Sequence, residues 1–324
     1  MKLRLTATLF VLACACAPGA LAQAPDYPAK PVRVLVGFTA GGATDVVARI
    51  VAQRLGDNLG QSFVVDNRPG ASGMIAAELT AKAPPDGYTL SVASQTVLAV
   101  VPAMHSKPLY DPLRDFAQIT VIGASPMMLV VHPSVPVDSV AKLIALARAR
   151  PGQLTYATGG NGTTPHMSGA LFTMMAGIDL VMVPYKGEAP GVTDLLAGQV
   201  SMMFSNVPIV LPHVRAGKLR GLAVTGAQRV ASAPDIPTVA ESGLPGYQNE
   251  TWFSLFAPAA TPRELIAKLN AETVRAMGAP DVKEKLAAQG IFIVGSTVDA
   301  CNVFVRDEIV KWAKVVKQTG ARAD

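Results

Sequence analysis

Val32-Arg33-Val34-Leu35-Val36 runs into Gly37-Phe38-Thr39-Ala40-Gly41-Gly42-Ala43-Thr44-Asp45. The first five residues read as a strand. From Asp45 to Leu59 the spacing predicts a helix. Val47, Val51 and Leu55 share one face, and Asp45, Arg49, Gln53 and Asp57 recur every fourth residue on the other. A strand, a glycine turn and a helix form the opening of a βαβ unit. Two adjacent glycines permit positive φ and close approach of a ligand. Thr44 or Asp45 suits the N-cap. The free N–H groups of the first helical turn then face the loop, an arrangement that favours an anion. Taken alone, this loop is better explained as a tight turn with a capped helix and no ligand.

The same alternation continues along the chain. Strands are expected at Phe63 to Val65, Tyr88 to Val92, Met127 to Val131, Leu154 to Ala157, Val181 to Val183, Ser201 to Phe204, Leu222 to Val224 and Trp252 to Phe256. Helices are expected from Gly73 to Ala83, Val140 to Ala149 and His166 to Ala176, with three more starting near Pro262, Pro280 and Val298. Alternating strands and helices imply an α/β fold, with mostly parallel sheets flanked by helices. Two proline-bearing stretches, residues 106–115 and 231–246, read as connections that bracket a central domain inserted in an outer one. The outer lobe is expected at 27–125 and 247–324, and the inner lobe at 126–246.

A second loop adds weight to the anion reading. Thr158-Gly159-Gly160-Asn161-Gly162-Thr163-Thr164-Pro165-His166 also follows a strand and opens a helix. Pro165 suits the first helical turn, where its missing N–H costs nothing. Three glycines, Asn161 and two threonines supply more donors than a plain turn needs. Ser94-Gln95-Thr96, after the strand ending at Val92, is a third candidate. In parallel sheets ligands sit at the carboxyl ends of strands, and all three segments lie there. His166 would either contact the ligand or cap the loop.

Composition narrows the function classes. The chain of 324 residues is 50% hydrophobic and 16% charged, which excludes disorder and argues against a coiled coil. A net charge of +5 without a cluster of Lys and Arg gives no footprint for nucleic acid. Neither a GxxxxGK[ST] loop nor a GxGxxG after a strand occurs, and no GxSxG elbow. His105, His132, His166 and His213 lie far apart, so no metal site and no cofactor are expected.

The N-terminus reads as a secretory signal peptide over residues 1–22. Lys2 and Arg4 precede an apolar run from Leu5 to Ala17, and Ala20-Leu21-Ala22 fits a cleavage site. Cleavage removes Cys14 and Cys16 and leaves Cys301 alone, without an internal disulfide. Val11-Leu12-Ala13-Cys14 also resembles a lipobox, in which Cys14 would carry a lipid anchor.

Six phrases occur in order along the chain: Pro31-Val32-Arg33 leading into Gly37 to Asp45, Val65 to Gly70, Pro84 to Leu90, Val183 to Gly187, Ala216 to Arg220, and Pro237 to Glu241. Together they resemble the periplasmic solute receptors of tripartite tricarboxylate transporters, the Bug-type family, over almost the whole mature chain. The resemblance implies a two-lobed, type II-like periplasmic binding fold that closes on an organic acid. One carboxylate would be held by backbone groups, hydroxyls and ordered waters. The implied contacts are Phe38, Ala40, Gly41, Gly42 and Asp45 from one lobe, and Thr158, Gly159, Asn161, Gly162, Thr163, Thr164 and His166 from the other. Ser205 stands where an aspartate is common, which removes a negative charge near the cleft. Glu188-Ala189 stands where glycines are common.

Neither Arg49 nor Arg68 is aimed at the glycine loops. Hydrogen bonds to a charged group contribute about 1.5–3 kcal/mol each. Four to six would reach micromolar affinity, about 8 kcal/mol net, without a salt bridge. The expected function is a monomeric periplasmic receptor that captures a small mono- or dicarboxylate and delivers it to a membrane permease. The alternatives are a periplasmic enzyme acting on an organic acid, or a sensor for a signalling partner.

Overall fold

The computed structural model describes residues 27–185 and 187–321. The signal-peptide and lipobox readings, with Cys14 and Ala22, lie outside them. In chain order, β1 (Val32–Val36), α1 (Ala43–Leu59), β2 (Phe63–Asn67), α2 (Met74–Ala81) and β3 (Thr89–Ser94) form the first parallel unit. β1 lies between β2 and β3, parallel to both. As the helical spacing requires, α1 buries Val47, Ala48, Val51, Ala52 and Leu55. A π-helical turn at Thr96–Val100 leads into α3 (Val101–Met104).

β4 (Phe116–Val131) follows and is 16 residues long. The second unit comprises α4 (Val140–Ala149), β5 (Thr155–Thr158), α5 (Thr164–Ala176), β6 (Val181–Pro184), α6 (Glu188–Leu196), β7 (Met202–Asn206), α7 (Val207–Arg215) and β8 (Arg220–Val224). The chain then returns through β9 (Glu250–Pro258), α8 (Arg263–Gly278), α9 (Pro280–Ala288), β10 (Phe292–Ile293) and α10 (Val298–Thr319).

The sheet order is β2-β1-β3-β9-β4-β7-β5-β6. Parallel pairs occupy both flanks, as the alternation implies. The middle is antiparallel. Phe116–Pro126 of β4 pairs with β9, and Met127–Val131 pairs with β7. Two register shifts, between Gln118 and Thr120 and between Val121 and Gly123, twist β4 and curl the sheet.

The segment 106–115 is irregular, as its prolines imply, but it does not carry the chain between the two half-sheets. That passage happens inside β4. The segment 231–246 is an excursion from β8. Thr238 bridges Val224, and the Asn249 N–H donates to the Thr225 carbonyl at 3.0 Å, so the chain leaves and re-enters at one place.

One core lies under α1, α8 and α9, with Val34, Leu55, Ile119, Leu269 and Leu286. A smaller one lies beside α6 and α7, with Met128, Val130, Leu195 and Val210. A third runs continuously through both half-sheets, from Leu98, Trp252 and Trp312 to Phe172 and Phe204. Glu308 of α10 is buried in this third core. Its Oε2 accepts from Trp252 Nε1 (2.8 Å), Trp312 Nε1 (2.9 Å) and Gln95 Nε2 (3.1 Å). Its Oε1 accepts from Lys311 Nζ at 2.9 Å. Gln95 Nε2 also donates to Asn249 Oδ1 (3.0 Å), and Asn249 Nδ2 donates to Ser168 Oγ of α5 (2.8 Å).

Burial pushes the Glu308 pKa up, but Lys311 and the indole donors outweigh it and hold the carboxyl below its ordinary value. Its stabilisation is therefore present above the usual glutamate range and lost as pH falls through the lowered folded value. Replacing Glu308 with Ala strands two indole N–H groups in a dry core. Each such donor costs about 1–3 kcal/mol. Denaturant titration is expected to show a loss of about 3 kcal/mol or more, with Glu308→Gln losing less.

Candidate functional site

β1 and β5 each end in a glycine loop that opens a helix, and the two loops use the same device. In the first, Gly42 is the N-cap of α1 and Asp45 is the third helical residue. Asp45 Oδ2 accepts from the Gly41 N–H at 2.9 Å, the residue just before the cap. In the second, Thr163 is the N-cap of α5 and His166 is the third helical residue. His166 Nδ1 accepts from the Gly162 N–H at 3.0 Å. Each side chain reaches back over the helix start and holds the loop. Neither N-cap residue caps its helix with a side chain, which leaves the first-turn N–H groups without that acceptor; Pro165 has no N–H to offer.

The first loop is braced further. Asp45 Oδ1 accepts from Asn67 Nδ2, which also donates to the Phe38 carbonyl, both at 2.9 Å. Arg49 Nε donates to Asp45 Oδ2 at 2.9 Å. Asp45 is buried, in contrast to the solvated face that its four-residue spacing suggested. Arg49 therefore supports the glycine loop through Asp45 rather than standing apart from it. Burial pushes the Asp45 pKa up, but hydrogen bonds from Arg49, Gly41 and Asn67 and the Arg49 charge bring it below the ordinary value.

Between the loops lies a cleft of about 540 Å³. Of the expected residues, Phe38, Gly41, Gly42, Ser94, Gly159, Thr163 and Thr164 line it. The other expected contacts do not. Ala40 and Asn161 are exposed on their loops, and Gly162 is buried. Asp45 and His166 sit behind the loops as braces. Thr158 is fully buried, and its Oγ1 accepts from the Gly160 N–H at 3.2 Å. Ser205 is fully buried, and its hydroxyl donates to Glu188 Oε2 at 2.8 Å.

That last contact corrects an expectation. An acidic group is not lost beside position 205, because Glu188 of α6 brings its carboxyl group onto Ser205 and lines the cleft itself. Asn206 completes its seat, with its backbone N–H on Oε2 (3.3 Å) and its Nδ2 on Oε1 (2.7 Å). Thr96, in the third candidate segment, also lines the cleft, whereas Asn206 and Ser125 were missed as lining residues. The Ser125 hydroxyl is buried without a hydrogen-bond partner among the described residues. For Asn206 a signal existed, since it ends a strand just before a Pro-bearing helix start. For Ser125, inside β4, there was none. A second cavity of about 610 Å³, between residues 227–232 and β10, receives no residue from either glycine loop. No group of His, Cys, Asp and Glu suited to hold a metal occurs among the described residues.

Two half-sheets meeting at a cleft, with helix N-termini facing it from both sides, give the two-lobed α/β architecture of periplasmic solute-binding receptors. Residues 47–321 match the family model described as "Tripartite tricarboxylate transporter family receptor". The chain is 40% identical over 320 residues to Protein BugT of Bordetella pertussis, covering 98% of each. It superposes on an R. palustris protein solved with adipate at TM-score 0.80 and 41% identity, covering 92% of this chain and 99% of that one. It also superposes on MatC from Rhodopseudomonas palustris, solved with bound malate, at TM-score 0.77 and 32% identity, covering 90% and 100%. The chain belongs to the tripartite tricarboxylate transporter receptor family.

Gly41 has φ of 84°, in the left-handed region, whereas Gly42 is extended at φ −75° and ψ 163°. Only the first needs glycine on backbone grounds. Gly41→Ala is expected to cost about 1–2 kcal/mol of stability, and Gly42→Ala less than about 0.5 kcal/mol, read from denaturant midpoints.

Burial lowers the His166 pKa from its ordinary 6.5 to about 4. The folded state therefore keeps the neutral ring that accepts from Gly162. Below pH 6.5 the unfolded chain gains a proton that the folded one refuses, so stability falls until about pH 4, by about 3 kcal/mol in all. Melting curves across this range should show the decline, and His166→Gln should remove that part of it.

Proposed function

We propose that this protein is exported by its segment 1–22 and works in the periplasm as a monomeric receptor. It captures a small organic carboxylate in the cleft and passes it to the membrane permease of a tripartite transporter. The supporting observation is the convergence of two glycine loops from different half-sheets, each opening a helix, with the hydroxyls of Ser94, Thr96 and Thr164, on one space; the Thr163 hydroxyl is spent on the Gly160 carbonyl at 2.7 Å. The carboxylate lies between the loops of β1 and β5 and accepts from first-turn N–H groups and hydroxyls. Two lobes, 27–125 with 247–324 and 126–246, close on it. The adipate and malate bound by the related structures support an acid as the ligand class. No helix among the described residues is long and apolar enough to cross a membrane, and the permease supplies that part.

A ligand at 100 times its dissociation constant adds about 2.7 kcal/mol to the folded state. In a thermal-shift screen of mono- and dicarboxylic acids, hydroxy acids and amino acids, at least one acid should raise the melting temperature by about 5 °C or more. A shift with a neutral sugar or a simple amine, and with no carboxylate, would overturn the reading.

A further inference from the structure

Glu188 is the one ionisable side chain among the described residues lining the cleft. It opens α6 beside the second glycine loop. The Gly187 N–H donates to the Gly159 carbonyl at 3.3 Å, and Glu188 Cγ is 3.7 Å from where a β-carbon on Gly159 would stand. The carboxylate is therefore next to the backbone that receives the ligand's acid group. Its seat is built from Ser205 Oγ, the Asn206 N–H and Asn206 Nδ2. These groups occupy three of the roughly four acceptor positions of a carboxylate. One position, on Oε1, is left over, and Glu188 lines the cleft.

All three partners are neutral. They hold the carboxyl group in place by hydrogen bonds, and burial raises its pKa against their pull and so disfavours the ionised form. Among the described residues no cation pairs with it; an ionised carboxylate left so is costly, and a ligand cation relieves that cost. A simple dianion does the reverse and brings a second negative charge to a site that already holds one.

We propose that the cleft is selective for a zwitterion, in which the glycine loops hold the carboxylate and Glu188 accepts an N–H from an ammonium group on the adjacent carbon, as in an α-amino acid. This inference rests on the loops being a carboxylate site, and the experiment separates the two. It is isothermal titration of the purified protein with pairs that differ only in the α-ammonium: alanine and propionate, leucine and 4-methylpentanoate, glutamate and glutarate. In every pair that binds, the amino acid should be tighter by tenfold or more. Glu188→Gln keeps the shape, and a flip of the Asn206 amide keeps the hydrogen bonds. That variant should lose the tenfold preference while holding or improving its affinity for the desamino acid. If desamino acids bind wild type as tightly as amino acids, the Glu188 inference fails and the carboxylate reading stands. If Glu188→Gln weakens both members of a pair alike, Glu188 is only a prop for Asn206, and the inference fails again. If no amino acid in the panel binds, the Glu188 inference fails, and the carboxylate reading is decided by the thermal-shift screen. A circular dichroism melt of the variant within about 3 °C of wild type excludes misfolding as the cause.

Discussion

The position of one glycine loop relative to the other is set by β4. Its sixteen residues belong to both half-sheets, pairing with β9 in the first and with β7 and β8 in the second. A strand cannot be broken without losing ladder bonds on both edges, so the halves are held by backbone pairing and not by a flexible linker. The return passage is anchored at the same level. Thr225 accepts from the Met127 N–H through Oγ1 at 2.8 Å, and its own N–H donates to the Met127 carbonyl at 2.8 Å. Both passages between the halves are thus tied to each other at Met127 and Thr225. The two loops stand on either side of that point.

The polar chain from Glu308 to Ser168 belongs to the same constraint. Gln95 follows the strand that ends in the cleft residue Ser94, and Asn249 directly precedes β9. The two amides join α10 of the first half to α5 of the second, and the Tyr247 hydroxyl adds a bond to the Ser168 carbonyl at 3.0 Å. Buried amides and a carboxylate are costly unless nearly all their groups are paired. Here all but one of them, Gln95 Oε1, are paired, and the bonds cross the junction, so sliding one half over the other unpairs several groups at once. This favours a small number of arrangements over a continuum.

The sequence made the flanks of the sheet legible and left its middle obscure. β1, β2, β5 and β6 are short aliphatic runs between helices, and their glycine ends carry a clear signal. In β4 the run is interrupted by Gly123, Ser125 and Pro126, so only Met127–Val131 reads as a strand. The missing half, Phe116 onward, is held by pairing with β9, more than 100 residues away, which no local pattern shows. α6 and α7 were likewise hidden. They are short, begin at Glu188 and Val207, and carry internal prolines. With them went Asn206 and the setting of Glu188. The two departures from the family pattern, Glu188 and Ser205, lie seventeen residues apart and are explained only when the fold puts them 2.8 Å apart.

Asp45 and His166 show why residue type alone misleads about role. Both are polar, both stand at the start of a helix beside a glycine loop, and both invite a reading as ligand contacts. Each in fact spends its acceptor on the N–H just before the helix cap. That bond removes one donor from the set facing the cleft, but it fixes the direction of those that remain. Donors held in place before the ligand arrives lose less entropy on binding than mobile side chains would. A receptor that grips its acid with backbone N–H groups therefore needs polar residues behind the loop more than in front of it. The front is left to neutral hydroxyls and to one carboxylate, Glu188. Because that group stands alone in charge among the described lining residues, selectivity at this end of the cleft is decided by what it accepts.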